Sequence, residues 1–253
     1  MKKYITIVAL IILAAAFSPA YSQNTIFLSQ GRVEFERKVN MYARIDDYEW
    51  LTSDTKESIK KNTPQFKTTY FDLKFNNNKT LYQPGREVDV PGKGMFGMDP
   101  AGNNVVLNNL ATLQSTTEKH VFEQGFLVQD STRKIQWKIT NETRNIAGFE
   151  CRRANAIILD SIYVVAFYTD AITTTGGPES FNGLPGMILG IALPHEHVTW
   201  FATKVFAETV PETTLVPPTK GKKVTNKAML AVLQDNLKDW GNEGRTFIKE
   251  CAW

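Results

Sequence analysis

The chain has 253 residues, with 29 basic and 26 acidic side chains. Two of the lysines and none of the acids fall in the first 22 residues, so the remainder carries 27 against 26 and is close to neutral. Charges are mixed throughout and no basic run is longer than Lys220-Gly-Lys-Lys223, so the electrostatic footprint of a nucleic-acid binder is absent and no polyanion partner is expected.

Lys2 and Lys3 precede an apolar run from Ile5 to Phe17 and a small-residue site at Ala20-Tyr21-Ser22. This is the pattern of a secretory signal peptide over residues 1–22, cut before Gln23. No cysteine stands at the cut to accept lipid, and no later stretch approaches the roughly 18 apolar residues of a membrane helix. The mature chain is therefore expected to be exported, to the periplasm, the outer membrane surface or the medium, without spanning a membrane. Residues 23–253 contain no low-complexity linker and are expected to form a single domain.

Alternation dominates the mature chain. Val33 and Phe35 alternate with charge over Gly31–Val39, and Phe71, Leu73 and Phe75 share one side of Phe66–Phe75, which predicts half-buried strands with one wet face. Ser53 to Asn62 predicts a short helix capped by Ser53 or Asp54 and stopped before Pro64. Asn76-Asn-Asn-Lys79 has hairpin-turn composition and leads into Thr80–Gln83. From Arg86 to Asn104 a long Gly/Pro-rich loop displays Met95 and Phe96, side chains suited to touching a ligand, lipid or partner, or to folding back on the sheet. Strand composition recurs at His120–Val128, Lys134–Ile139, Phe149–Leu159, Ser161–Tyr168 and Val198–Val205. Met229, Val232, Leu233, Leu237 and Trp240 recur at helical spacing, predicting a helix from Thr225 to Trp240 that packs on the sheet and ends at Gly241. The expected fold is mainly β: a curved antiparallel meander sheet or half-barrel with a C-terminal helix packed on it and a short N-terminal helix.

The stretch Phe181-Asn-Gly-Leu-Pro-Gly-Met-Ile-Leu-Gly-Ile191 sets glycine and proline against an apolar run. Leu184-Pro185-Gly186-Met187 suits a type II turn, with Gly183 before it and Gly186 at the position that requires positive φ. After it, both faces of the predicted strand are apolar, as in a strand covered on both sides. With Trp137, Ile146-Ala-Gly-Phe-Glu-Cys151, Arg153-Ala154, Phe167-Tyr-Thr-Asp170 and Gly177-Pro178, this region resembles the GLPGLI family of secreted proteins typical of Bacteroidota. Met187 replaces the leucine of the family's defining segment, and Phe167 stands where its pattern often has tryptophan. The resemblance implies a mainly β fold and export to the envelope, and carries no reaction with it.

Function is therefore sought beside the motif, in the Gly176-Gly177-Pro178-Glu179 lead-in or in the histidines that end its strand. Convergence of the Pro91–Asn104 and Gly176–Gly186 loops would define a shared site; opposite placement would exclude one. In a strand, His195 and His197 share a face and could both reach one copper or zinc ion, with a third ligand from His120, Cys151, Asp170 or Glu196, but a plain solvated hairpin turn is the favoured reading of the pair. Cys151 and Cys251, in an oxidising compartment, are candidates for a disulfide closing a loop of about a hundred residues, worth roughly 4 to 5 kcal/mol in chain-entropy models. Free thiols and a metal thiolate stay open. No Gly-x-Ser-x-Gly elbow, phosphate loop or dinucleotide fingerprint occurs. The expected function is non-enzymatic: binding of an apolar ligand or an outer-membrane partner, with copper or zinc handling as the alternative.

Overall fold

The computed structural model describes residues 27–87 and 99–253. They form one open, curved sheet of 12 strands in the order β12-β6-β5-β4-β3-β2-β1-β11-β10-β9-β8-β7. All described pairings between these strands are antiparallel except β12 (Lys222–Val224), which runs parallel to β6 (Gln124–Ser131). The sheet is thus a mixed one carrying two meanders that meet at β1 (Gln30–Asn40), which pairs with β2 (Phe66–Asn76) on one side and β11 (Val198–Phe206) on the other.

The alternation that predicts β1 is realised along its whole length. Val33, Phe35, Arg37 and Val39 point into the core while their neighbours are only half-buried. β2 and β3 (Lys79–Pro84) join through Asn77 in the left-handed conformation, φ 49°, which asparagine tolerates better than most residues. β4 (Val105–Asn109) and β5 (Gln114–Val121) continue the meander.

The structure corrects three expectations. His120–Val128 is not one strand: Phe122 takes φ 54° and the chain reverses between β5 and β6. Lys134–Trp137 is not a strand either. Its Ile135 and Trp137 pack on the core from an irregular stretch, and pairing starts only at Lys138 in β7 (Lys138–Ile146). The predicted helix through Trp240 stops early, because α3 (Asn226–Asn236), capped by the Thr225 side chain, gives way to a short turn at Lys238–Trp240. Gly241, at φ 61° and ψ −131°, then starts a further helix, α4 (Gly241–Ala252), where an end was expected. That backbone conformation is open to glycine and hardly to any other residue.

β8 (Phe149–Ile158), β9 (Ile162–Thr169) and β10 (Met187–Leu193) complete the second meander. In β10 every residue but Ala192 is buried, so the strand is dry on both faces, as its composition requires. Two short helices precede β2: α1 (Met41–Asp47), N-capped by the Asn40 side chain, and α2 (Ser53–Lys61), capped by Thr52. The main core gathers the buried side chains of β1, β2 and β8 to β11, while α3 and α4 close a second cluster over Val121, Phe126 and Val128.

Candidate functional site

The proline-glycine segment is a structural joint. Gly186 adopts φ 142° and donates to the Leu184 carbonyl at 2.8 Å, so the chain turns tightly about Pro185, while Met187 donates to Ile172 instead of closing the expected type II turn. A Cβ on Gly186 would stand 2.1 Å from the Thr169 carbonyl oxygen. Gly183, at φ 90°, sits where the Trp137 indole donates to the Asn182 carbonyl at 2.9 Å. Gly177 and Pro178 are buried: a Cβ at Gly177 would stand 2.8 Å from the Ile188 Cβ, so this lead-in packs against β10 and does not present a binding surface.

What the lead-in places is Glu179, fully buried and with φ 53°. Its Oε2 accepts from Asn104 Nδ2 at 2.9 Å, so the described end of the long Gly/Pro loop does meet the 176–186 loop. Met95 and Phe96, the candidate contacts at the tip of that loop, lie outside the described residues. Burial pushes the Glu179 carboxyl up to about 7, with Lys119 and Asn104 opposing the rise. Its Oε1 and the Asn104 Oδ1 have no hydrogen-bond partner among the described residues.

Around Glu179 the covered face of the sheet is unusually polar. Arg37 of β1 donates twice to Asp99, at 2.5 and 2.7 Å, and its guanidinium lies 5.3 Å from the Trp200 ring centre. Burial acts to raise the Asp99 carboxyl, but Arg37 and Lys67 outweigh it and hold the group down to about 2. Lys119 of β5 donates to the carbonyls of Cys251 and Trp253 at 2.9 and 2.6 Å, and Arg133 donates to that of Ala252. Burial lowers both cations.

The histidines belong to a second, open feature. His195 lies in a single 3-10 turn, Pro194–Glu196, and His197 follows in the left-handed conformation at φ 55°, so the strand geometry expected to align the two rings is absent. His197 Nε2 is 2.9 Å from Asp47 Oδ2. Among the described residues no three His, Cys, Asp or Glu side chains converge as metal ligands. Both histidines instead line a cavity of about 760 Å³ between α1, this turn and α4. Its aromatic lining comes from Tyr48, Trp50, Trp240 and Phe247. Trp50 stands edge-on to Tyr48 and Trp240 to Phe122, yet they keep 57% and 45% of their surface exposed, which leaves ring surface for an occupant. Also lining the cavity is the pair Arg44–Glu250, Nη2 to Oε1 at 2.8 Å. Burial pushes Glu250 up to about 7 against the pull of Arg44, and its carboxyl also feels Asp99 and Arg37, so cavity and interior network are electrostatically continuous.

The cysteines do not pair. Cys151 is buried on β8 in the main core, Cys251 is buried near the end of α4 in the second cluster, and both thiols are free. β8, which carries Cys151, lies toward one end of the sheet order, while the Cys251 cluster sits over β5 and β6 toward the other, which is why an even cysteine count misleads here. Sequence reading missed Arg37, Lys119, Arg44 and Glu250. The first two had a signal: Arg37 falls in the same strand phase as Val33, Phe35 and Val39, and Lys119 in phase with Thr117 and Val121.

Residues 158–190 match the model of a family described as a protein of unknown function (Porph_ging). A comparison with curated proteins finds no match. Among solved structures, PNGF-II in a C2 crystal form is similar at a TM-score of 0.50 and 14% identity, over 78% of this chain and 31% of that one. A P21 form of PNGF-II gives 0.48 and 16% over 78% and 32%. The chain thus spans about a third of the length of these structures, and the likeness to the C2 form is one of fold.

Proposed function

We propose that the chain is an exported, non-enzymatic binding protein of the cell envelope, whose cavity between α1 and α4 takes a small organic ligand with an apolar body and a positively charged group. The observation that carries this reading is the make-up of that cavity. Its volume, about 760 Å³, falls within the range of roughly 300 to 1,000 Å³ typical of small-molecule sites. Four aromatic side chains line it, and the carboxylates of Asp47, Glu196, Glu243 and Glu250 outnumber the cations of Arg44 and Lys249. Aromatic faces backed by carboxylates attract organic cations, and the attraction grows as water is excluded.

Export is supported by the leader pattern of residues 1–22, and membership of the GLPGLI family by Gly183–Ile188, which lies within the 158–190 match. The non-enzymatic part rests on how the titratable groups are committed: Arg44 to Glu250 and His197 to Asp47, each closed on its partner. Copper or zinc binding by His195 and His197 finds no third ligand among the described residues.

Titration of intrinsic tryptophan fluorescence with choline, and with its neutral isostere 3,3-dimethylbutanol, tests the reading. Choline should bind and the alcohol should not, and Trp50→Ala or Trp240→Ala should weaken choline by about tenfold. Equal response to both probes, or indifference to both substitutions, rejects it.

A further inference from the structure

We infer that one rim of the sheet docks on a lipid bilayer, and that the cavity opening there takes the zwitterionic headgroup, ammonium and phosphate together, of a bilayer phospholipid. The inference rests on the cation reading of that cavity and names the kind of molecule that carries the cation.

The rim follows from strand direction. In the antiparallel order β1, β3, β5, β8 and β10 all point one way, so the chain leaves them at the same end of the sheet. It enters α1 after β1, the Phe122 turn after β5, the 159–161 turn after β8 and the 194–197 turn after β10. Six of the ten large apolar side chains exposed among the described residues gather at this end: Trp50, Phe66 at the start of β2, Phe122, Ile157, Leu159 and Trp240. Exposed apolar residues scattered singly need no explanation, but a cluster on one rim marks a contact surface.

Phe122 joins this cluster to the cavity. It takes φ 54°, a conformation that strains a bulky residue, and its half-exposed ring stacks on Phe247 at 4.9 Å and meets Trp240 edge-on at 5.7 Å. Phe247 and Trp240 line the cavity, so its aromatic wall continues onto the rim. Tryptophan, with an apolar body and one polar edge, is suited to the boundary between bilayer and water.

Charge selects the lipid. Residues 41–62 carry four cations against five carboxylates, and residues 235–250 three against four, so these segments lack the polybasic patch that holds a protein to anionic lipid. Within the cavity Arg44 is closed on Glu250 and His197 on Asp47. Glu196, Glu243 and Lys249 also line it, and none of the three side chains forms a salt bridge among the described residues. Two carboxylates and one ammonium are thus left to meet an occupant. The carboxylates suit its ammonium and Lys249 its phosphate, a set that a lone cation would leave half unused.

The test floats the full chain on a density gradient with vesicles of dioleoylphosphatidylcholine or of dioleoylphosphatidylglycerol. Binding to the first should exceed binding to the second by at least about tenfold, and excess soluble phosphocholine should release the protein. The double variant Ile157→Ser, Leu159→Ser removes two exposed rim side chains that do not line the cavity; it should cut vesicle binding by about tenfold or more and leave choline affinity in solution unchanged. Lys249→Gln should weaken free phosphocholine about fivefold while tightening choline, because it removes a like charge. Choline binding without flotation on phosphatidylcholine overturns the docking and leaves the cation site standing, whereas loss of choline binding removes both. Equal flotation on the two lipids, or phosphocholine that fails to compete, overturns the headgroup assignment.

Discussion

Arg44 of α1 and Glu250 of α4 meet at 2.8 Å beside the cavity, and this pair ties the N-terminal helix to the C-terminal one across the space between them. The two side chains retain 15% and 9% of their exposure, so their interaction is only partly screened by water.

Arg44→Met should therefore cost stability in a pH-dependent way. Above pH 7 the Glu250 carboxyl is ionised and relies on Arg44; without it the carboxyl titrates higher still. The loss should be about 2 kcal/mol at pH 8, below the 3 to 5 typical of fully buried pairs, and should close at pH 5, where Glu250 is neutral. Urea denaturation at the two pH values measures it. An equal loss at both would mean that Arg44 acts through packing.

Glu179 gives a second pH signature. Its folded value near 7 exceeds its ordinary 4.5, so the native state binds the proton more tightly than the unfolded chain does. Stability is then greatest below about 4.5 and declines as pH rises through 7, by up to about 3 kcal/mol. Asp99 works in the opposite sense, with its stabilisation present above its ordinary value and lost as pH falls toward 2. Stability should peak between these limits, near pH 4 to 5, unlike most proteins. Glu179→Gln should lessen the decline above pH 5, leaving the share that Glu250 contributes in the same sense, and leave stability at pH 4.5 nearly unchanged, as read from denaturation midpoints across the range.

These two acids also mark what the sequence could and could not disclose. Strand β10, the hairpin at Asn77 and the helix near Ser53 were legible because period, turn chemistry and capping are local. The break inside His120–Val128 was not, because Phe122 adopts a positive φ that its side chain does nothing to announce. Glu179 could be placed beside the motif, but its burial depends on Gly176 and Gly177 packing on Thr80 and Ile188, contacts that no local pattern encodes. The cavity was invisible for the same reason: α1, the 194–196 turn and α4 come together only through sheet order.

The two glycines of the motif should respond differently to alanine. At Gly186 the new Cβ meets the Thr169 backbone at 2.1 Å and φ is 142°, so Gly186→Ala should cost about 3 kcal/mol or more. At Gly183 φ is 90° but the nearest atom, Trp137 Nε1, is 3.9 Å away, so Gly183→Ala should cost only the backbone term of about 1 to 2 kcal/mol. Equal losses in guanidinium denaturation would contradict the close approach at Thr169.

The thiols supply the last prediction. Burial pushes both Cys151 and Cys251 up to about 12, and neither side chain reaches solvent, so the thiolate needed for reaction is scarce and shielded in the folded state. Ellman's reagent added to native protein prepared without reductant should report almost no thiol, and the same sample unfolded in guanidinium should report both. A disulfide would give none in either state, and would also make the denaturation midpoint sensitive to reductant.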